Sequence, residues 1–182
     1  PNPPWEGGFS VVGKPQRKPD GLSKATGEAV YTDDIQLPGM LHAKTLRSPH
    51  PHARIKSIDV SKALAMPGVH AAITGRDLPA RYGVIPWTED ETALAVDKVR
   101  FVGDPVAAVA AVDEDTATRA LDAIVVEYEA LHAFLTPEDS LANAEPKIHE
   151  DKKNNVSKHV LLDFGDVDGA MAGADVVLEG EF

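Results

Sequence analysis

The chain contains no cysteine. That absence excludes disulfides, thiolate nucleophiles, zinc ribbons and ligation of an iron–sulfur cluster by this polypeptide. Aromatic residues are also scarce, at 5% against a hydrophobic content of 43%, so the core has to be built mainly from Val, Ala, Leu and Ile. Positive charge is in short supply: 18 Lys and Arg stand against 29 Asp and Glu, for a net charge of -11. Phosphate backbones and anionic lipid surfaces both select clustered Lys and Arg, so neither nucleic acid nor a membrane surface is an expected partner. The longest apolar run, Val106 to Val112, falls far short of the roughly 20 residues a membrane helix requires. Nothing resembles a signal peptide, and the acidic balance suits a soluble, cytoplasmic protein. At 182 residues the chain has room for one ordinary domain, or one domain and part of another.

The most informative stretch is Asp97-Lys98-Val99-Arg100-Phe101-Val102-Gly103-Asp104-Pro105-Val106-Ala107-Ala108-Val109-Ala110-Ala111-Val112. A Gly-Asp-Pro turn enters an unbroken run of small and β-branched apolar residues. The run predicts a central strand buried on both faces, with Pro105 at its first position, where no ladder N–H is needed. Lys98–Val102 is expected to pair with it around Gly103-Asp104. Further strands are expected over Leu41–Arg47, Ala53–Val60, Val69–Thr74 and Val125–Leu131. In the last of these, Val126 and Tyr128 alternate with Glu127 and Glu129.

Helix signals are local and clear. Asp113 is an N-cap for a helix whose Ala117, Ala120, Leu121 and Ile124 fall on one face, and Glu114 and Asp115 suit its positive end. Thr136-Pro137-Glu138-Asp139 is a cap, a first-position proline and two acids. Ser61–Met66 reads as a short helix stopped by Pro67-Gly68, and Gly21–Gly27 as a helical turn. Residues 75–97, with Pro79, Gly83 and Pro86, read as loop. Strands and helices mix without a regular βαβ repeat, which predicts an α+β fold with a buried mixed sheet. Four regions are expected: an extended arm over 1–20, the main domain over 21–138, a polar linker over 139–158, and a new element from 159 to 182. That last region is read as the segment His159–Phe164, a helix bearing Val167, Ala170, Met171 and Ala174 on one face, and a strand over Val176–Phe182 that runs to the chain end, as in a piece cut from a longer polypeptide.

Candidate chemistry is thin. His50-Pro51-His52 presents two imidazoles, but a zinc site needs three or four converging ligands, and the plainer reading is a Pro-rich turn. Phe164-Gly165-Asp166-Val167-Asp168-Gly169 has the alternating acids of a calcium loop. Aligned on Gly169, however, its first and twelfth positions are Phe164 and Asp175, which makes a helix N-cap the better reading. Gly165, Gly169 and Gly173 are spaced by four, as small residues for close packing. Asp33/Asp34, Glu89/Asp90/Glu91 and Glu127/Glu129 are acid pairs of the kind that line solvated faces. There is no phosphate-binding glycine loop, no G-x-G-x-x-G after a strand and no G-x-S-x-G elbow. From the residues alone no catalytic, cofactor-binding or metal-ligating set is assigned.

Five segments, in order, carry a resemblance. They are Lys24-Ala25-Thr26-Gly27-Glu28-Ala29-Val30-Tyr31-Thr32-Asp33-Asp34, Arg47-Ser48-Pro49-His50-Pro51-His52-Ala53-Arg54-Ile55, Val102-Gly103-Asp104-Pro105-Val106-Ala107, Val126-Glu127-Tyr128-Glu129-Ala130-Leu131 and Phe164-Gly165-Asp166-Val167. Together they resemble the start of the molybdenum-binding large subunit of the xanthine dehydrogenase/aldehyde oxidase family. Residues 21–138 are similar to its α/β hammerhead domain and 159–182 to the start of its first molybdopterin-binding domain. Within the family, Asp97–Asp115, Thr136-Pro137 and His149–Asn155 look most like 4-hydroxybenzoyl-CoA reductase.

The resemblance implies an enzyme holding molybdenum on molybdopterin cytosine dinucleotide in domains further along the chain. It implies hydroxylation of an aromatic, N-heterocyclic or aldehyde substrate, or reductive dehydroxylation of 4-hydroxybenzoyl-CoA. Electrons would pass through an iron–sulfur small subunit with two [2Fe–2S] clusters and an FAD-binding subunit. It carries no catalytic residue onto this segment, which is expected to be inactive alone. Gly103–Pro105 read first as a strand-entry turn and second as part of a contact with the iron–sulfur subunit. Two alternatives remain: a free-standing binding or assembly protein that reuses the fold, and a small acid–base or metal enzyme built on His50 and His52 or on the loop acids.

Overall fold

The structure is a computed structural model and describes residues 9, 11–78, 80–85 and 89–180. Most of the first ten residues of the expected arm, together with Pro79, Pro86 and the last two residues of the expected terminal strand, lie outside the described residues. The chain divides into two units, Pro1–Met40 and Leu41–Phe182.

The first unit holds one helix, α1 (Gly21–Thr26), closed by Gly27 at a φ of 78°. Glycine reaches this left-handed conformation without a Cβ clash, which makes it the usual helix stop. A 3-10 turn follows over Thr32–Asp34, where the Asp34 carboxylate accepts from the Tyr31 N–H at 2.9 Å.

The second unit contains two three-stranded sheets. Their strands are β1 (His42–Arg47), β2 (Ala53–Asp59), β3 (Val69–Thr74), a short hairpin of β4 (Arg81–Tyr82) and β5 (Glu91–Thr92), then β6 (Lys98–Val99), β7 (Pro105–Ala111) and β8 (Val125–Ala130). One sheet runs β1-β7-β3 and the other β6-β2-β8. The α+β expectation holds, but every pairing among the described strands is antiparallel, and the single mixed sheet is two sheets.

The expected pairing of Lys98–Val102 with Val106–Val112 is corrected for the same reason. β6 pairs with β2, whereas β7 pairs with β1 and β3. The turn between them explains the separation. The Asp104 carboxylate accepts from the Arg100 N–H at 3.0 Å, the Asp104 N–H donates to the Phe101 carbonyl at 3.2 Å, and Gly103 sits at a φ of 94°. This locked turn carries the chain out of one sheet and into the other instead of folding it back. Pro105 opens β7, as expected.

Helices α2 (Ser61–Leu64) and α3 (Glu114–Asp122) cover one face of the β1-β7-β3 sheet. Ala107, Val109 and Ala111 of β7 pack there with Ala63, Ala117, Ala120 and Ile124. These side chains are small, as a core poor in aromatics has to be. A second cluster joins Val106 to Ala53, Ala95 and Val99, and Leu46, Ile58 and Val126 touch both clusters. On the far face of β7, Ala108 and Ala110 are only half-buried. The strand is therefore central but fully covered on one face only, because the helices lie on one side and the Leu94–Ala95 segment reaches no further than the Val106 end.

The Asp113 cap forms as read: its carboxylate accepts from the Thr116 N–H at 2.7 Å. That bond holds the carboxyl below its usual range. Asp113→Ala is expected to lower Tm by a few degrees in thermal denaturation, while Asp113→Asn keeps most of the stability, because Asn supplies the same acceptor. Helix α4 (Pro137–Ala142) is capped by Thr136, which accepts from the Asp139 N–H at 3.2 Å.

One expectation beyond residue 158 changes. The described part of the expected terminal strand, 176–180, is not a strand, while the helix forms as α5 (Val167–Ala172). A strand requires a partner edge, and hydrophobic pattern alone supplies none. Among the described residues no helix is long and apolar enough to cross a membrane.

Candidate functional site

Three of the sequence segments meet where β1 ends and β7 begins. The Arg47 guanidinium donates from Nη1 to the Gly103 carbonyl at 2.9 Å. The Ser48 N–H donates to the Asp104 carbonyl, and the Gly103 N–H returns a bond to the Ser48 carbonyl, both at 2.8 Å. The buried Ser48 hydroxyl lies 3.0 Å from both the N–H and the carbonyl of His50 and meets the hydroxyl of Tyr128 on β8. Burial pushes the Tyr128 phenol up. The His50 ring stands edge-on to Tyr128 at 4.9 Å. These groups spend their polar atoms on one another and on backbone, so the junction is a rigid knot rather than a set of reactive side chains.

His52, at the entry to β2, is 3% exposed. Its Nδ1 lies 2.7 Å from the His132 carbonyl, and the Leu131 N–H donates to the His52 carbonyl at 2.9 Å. A carbonyl only accepts, so Nδ1 carries the proton. Nε2 is buried and has no partner. Burial holds the His52 ring below its usual pKa, nearby Lys98, Arg100 and Arg54 push the same way, and the His132 carbonyl opposes them. The ring is therefore neutral near pH 7. The His132 ring donates to Asp139 at 2.9 Å and stands edge-on to Phe134.

Beside this knot lies a charged cleft of about 570 Å³, bounded by Gly75 and Arg76, the β4–β5 hairpin, β6 and residues 149–152. Sequence reading missed its principal groups. Lys98 is 4% exposed, yet its ammonium donates to the Lys147 carbonyl at 2.5 Å and to Glu150 at 2.6 Å. Arg100 donates from Nε to the Ile148 carbonyl at 2.9 Å. The partners lie about fifty residues away in a stretch expected to be a linker, and no spacing rule links the two. That stretch is folded on itself. The Ile148 N–H donates to the Asn155 side chain at 2.8 Å, and Asn154 and Asn155 hold positive φ, which Asn tolerates better than most residues. A second cavity of about 490 Å³ shares Asp90, Arg100 and His149 with the first and reaches Phe101 and Asp104.

The remaining candidates stay apart. Asp166 caps α5 by accepting from the Gly169 N–H at 2.9 Å, so the 164–169 segment is a helix start. Asp34 caps its own turn, Glu127 accepts from Ser57, and Glu129 pairs with Lys56 at 2.8 Å. Glu89 and Asp90 line the first cleft and Glu91 the second. Among the described residues no three His, Asp or Glu side chains converge as a metal site. The arrangement can hold backbone segments in place and offer a polar groove. It does not bring together a nucleophile and a base.

Residues 26–132 match a family described as aldehyde oxidase and xanthine dehydrogenase, a/b hammerhead domain. The chain is 41% identical over 172 residues to a probable xanthine dehydrogenase subunit of Bacillus subtilis, covering 93% of this chain and 23% of that protein. It is 43% identical over 176 residues to the nicotinate dehydrogenase large molybdopterin subunit of Eubacterium barkeri, covering 96% of this chain and 40% of that one. Among solved structures, the aldehyde oxidoreductase of Desulfovibrio gigas aligns with a TM-score of 0.74 and 31% identity, over 89% of this chain and 19% of that one. The chain therefore spans well under half the length of these relatives.

Proposed function

We propose, for a chain that belongs to the aldehyde oxidase and xanthine dehydrogenase family, that it is a non-catalytic region of a molybdenum-cofactor oxidoreductase large subunit, with its hammerhead domain over 21–138. Residues 139–158 then connect this domain to the start of the first molybdopterin-binding domain at 159–182. The observation that carries the reading is the alignment of nearly the whole chain with one region of much longer molybdenum-subunit relatives. The fate of the motif side chains supports it as well: Arg47, Ser48, Asp104 and His52 are committed to backbone contacts.

The described residues do not fit a pterin dinucleotide. The cleft's buried Lys98 is already neutralised by Glu150, Arg100 is spent on the Ile148 carbonyl, and the acids Glu89, Asp90, Asp97 and Asp151 offset Arg76, Arg81 and Lys152, so the walls offer no uncompensated positive charge to the dinucleotide phosphates. Molybdopterin cytosine dinucleotide is accordingly assigned to other domains of the polypeptide, and no chemical step passes through this segment. When bound there, the molybdenum supplies oxygen transfer from water and accepts two electrons.

The reaction proposed for the whole enzyme is hydroxylation of an aromatic, N-heterocyclic or aldehyde substrate in the cytoplasm. Electrons leave through [2Fe–2S] and FAD subunits. Relatives named nicotinate dehydrogenase and nicotine 6-hydroxylase favour an N-heterocycle. Reductive dehydroxylation of 4-hydroxybenzoyl-CoA is the narrower reading, supported by the likeness of Asp97–Asp115 and His149–Asn155. The test is turnover. The 182-residue chain, offered nicotinate, xanthine, aldehydes and 4-hydroxybenzoyl-CoA with artificial electron carriers, is expected to be inert while the full subunit assembly reacts. Turnover by the short chain alone would overturn the proposal.

A further inference from the structure

The strap over residues 145–153 is held on β6 by two cations. Lys98 grips the Lys147 carbonyl and the Glu150 carboxylate, and Arg100 grips the Ile148 carbonyl. Ala53 pairs with Val99 and Arg54 with Lys98 in the β2–β6 ladder, so continuing that register one step past both strands sets His52 opposite Arg100, whose charge acts on the ring. The strap's anchor and the buried ring with an orphaned Nε2 are neighbours.

We propose that His52 is the proton switch for this strap: with the ring neutral the strap stays clamped on β6, and a second ring proton drives it off.

The charges around His52 set the direction. Arg54 from β2, Lys98 from β6 and Arg100 just beyond it are all positive. From the 131–134 segment the His132 carbonyl accepts from Nδ1 and the uncharged Phe134 ring lies 6.3 Å from the imidazole, centroid to centroid, while the His132 side chain is turned to Asp139. The carboxylates on these cations are engaged there, Glu150 on Lys98 and Asp104 on the Arg100 N–H. Protonation adds a buried N–H with no acceptor and a third charge beside the two strap-holding cations. The Nδ1 bond to His132 survives it, so the 131–134 side has no reason to open. Release of the strap lets Lys98 and Arg100 turn into water and away from the imidazolium, and it uncovers the two cavities that His149 and Arg100 both line. His149, on the strap itself, faces Asp90 at 4.0 Å and Arg100, and burial and Arg100 hold its pKa down too. It is the rival switch.

The sign follows from linkage. A histidine whose pKa is depressed in the seated state favours the released state as pH falls below its ordinary value of about 6.5. Between pH 7.5 and 5.5 the released population is expected to rise, by at most about tenfold. Glu150, held down by Lys98, stays ionised over this range.

The experiment is hydrogen exchange by mass spectrometry on the intact enzyme assembly at the two pH values, corrected for intrinsic rates. Peptides over 145–153 should lose protection at pH 5.5, by up to about tenfold, while those over β7 and 131–135 do not. His52→Asn keeps a side-chain N–H for the His132 carbonyl but does not titrate, and it should flatten the response. His149→Gln should leave it intact. If His52→Asn does not fold, deuterium exchange at the histidine ring C2 positions of the unsubstituted enzyme gives each midpoint directly, and the His52 midpoint should coincide with strap opening. Flattening by His149→Gln, opening of 131–135 instead of the strap, or a strap indifferent to pH would each overturn the proposal.

Discussion

Gly75→Ala is expected to destabilise the domain by about 3 kcal/mol, the upper part of the range for forcing added volume into a packed site. Gly75 is buried, and a Cβ built on it would lie 2.5 Å from the Ala95 carbonyl oxygen and 2.7 Å from that of Leu94. Both contacts are backbone, so no side chain can swing aside. The opposing segment is itself tied down, because the Ala95 N–H donates to the Pro105 carbonyl at 2.7 Å at the entry of β7. Room for one methyl group therefore comes from breaking the link between the cleft wall and the central strand. Chemical denaturation should show a lower midpoint with an unchanged slope. A midpoint equal to that of the unsubstituted protein would mean the Leu94–Ala95 segment is not fixed as described.

Val106→Asp is expected to abolish folding. Val106 is fully buried among Ala53, Ala95 and Val99, with Leu46 and Tyr128 beside them. None of these side chains is placed to pair a carboxylate there. An unpaired charge in such a site costs several kcal/mol even when the group takes up a proton to escape ionisation, and a domain has only about 5–15 kcal/mol to lose. The graded control is Val106→Ala, which leaves a small cavity and should cost about 2 kcal/mol. The aspartate variant should be found in the insoluble fraction or without a cooperative transition, and the alanine variant should be folded with a reduced midpoint. A soluble, cooperatively folding Val106→Asp would contradict the placement of the second core cluster.

What the sequence revealed was local. The Val106–Val112 run, the Asp113 and Thr136 caps and the alternation over Val125–Leu131 each depend on neighbours within a few residues, and each element formed, although the central strand is fully covered on one face and not on both. Pairing was not local. Nothing around Lys98 or Phe101 announces that Gly103 and Asp104 send the chain between two sheets. Nothing local to Val176 shows whether an edge exists for that segment to join, and 176–180 forms no strand. The same limit hid most of the site. His50-Pro51-His52 reads as a turn, which it is, but the burial of His52 and its orphaned Nε2 depend on Leu131 and His132, some eighty residues on. Lys98 looks like a charged residue on an exposed strand face. Its burial follows from a strap whose polar composition gives no hydrophobic signal. The family segments were legible as motifs, and only the structure shows that three of them hold one another by backbone hydrogen bonds.

The most direct measurement is the mass and metal content of the native protein purified from its source. A polypeptide extending well beyond these 182 residues, with stoichiometric molybdenum and with iron and flavin co-purifying, is the expected result. A metal-free protein ending near Phe182 would contradict it, and would mean that the hammerhead fold serves a binding role of its own.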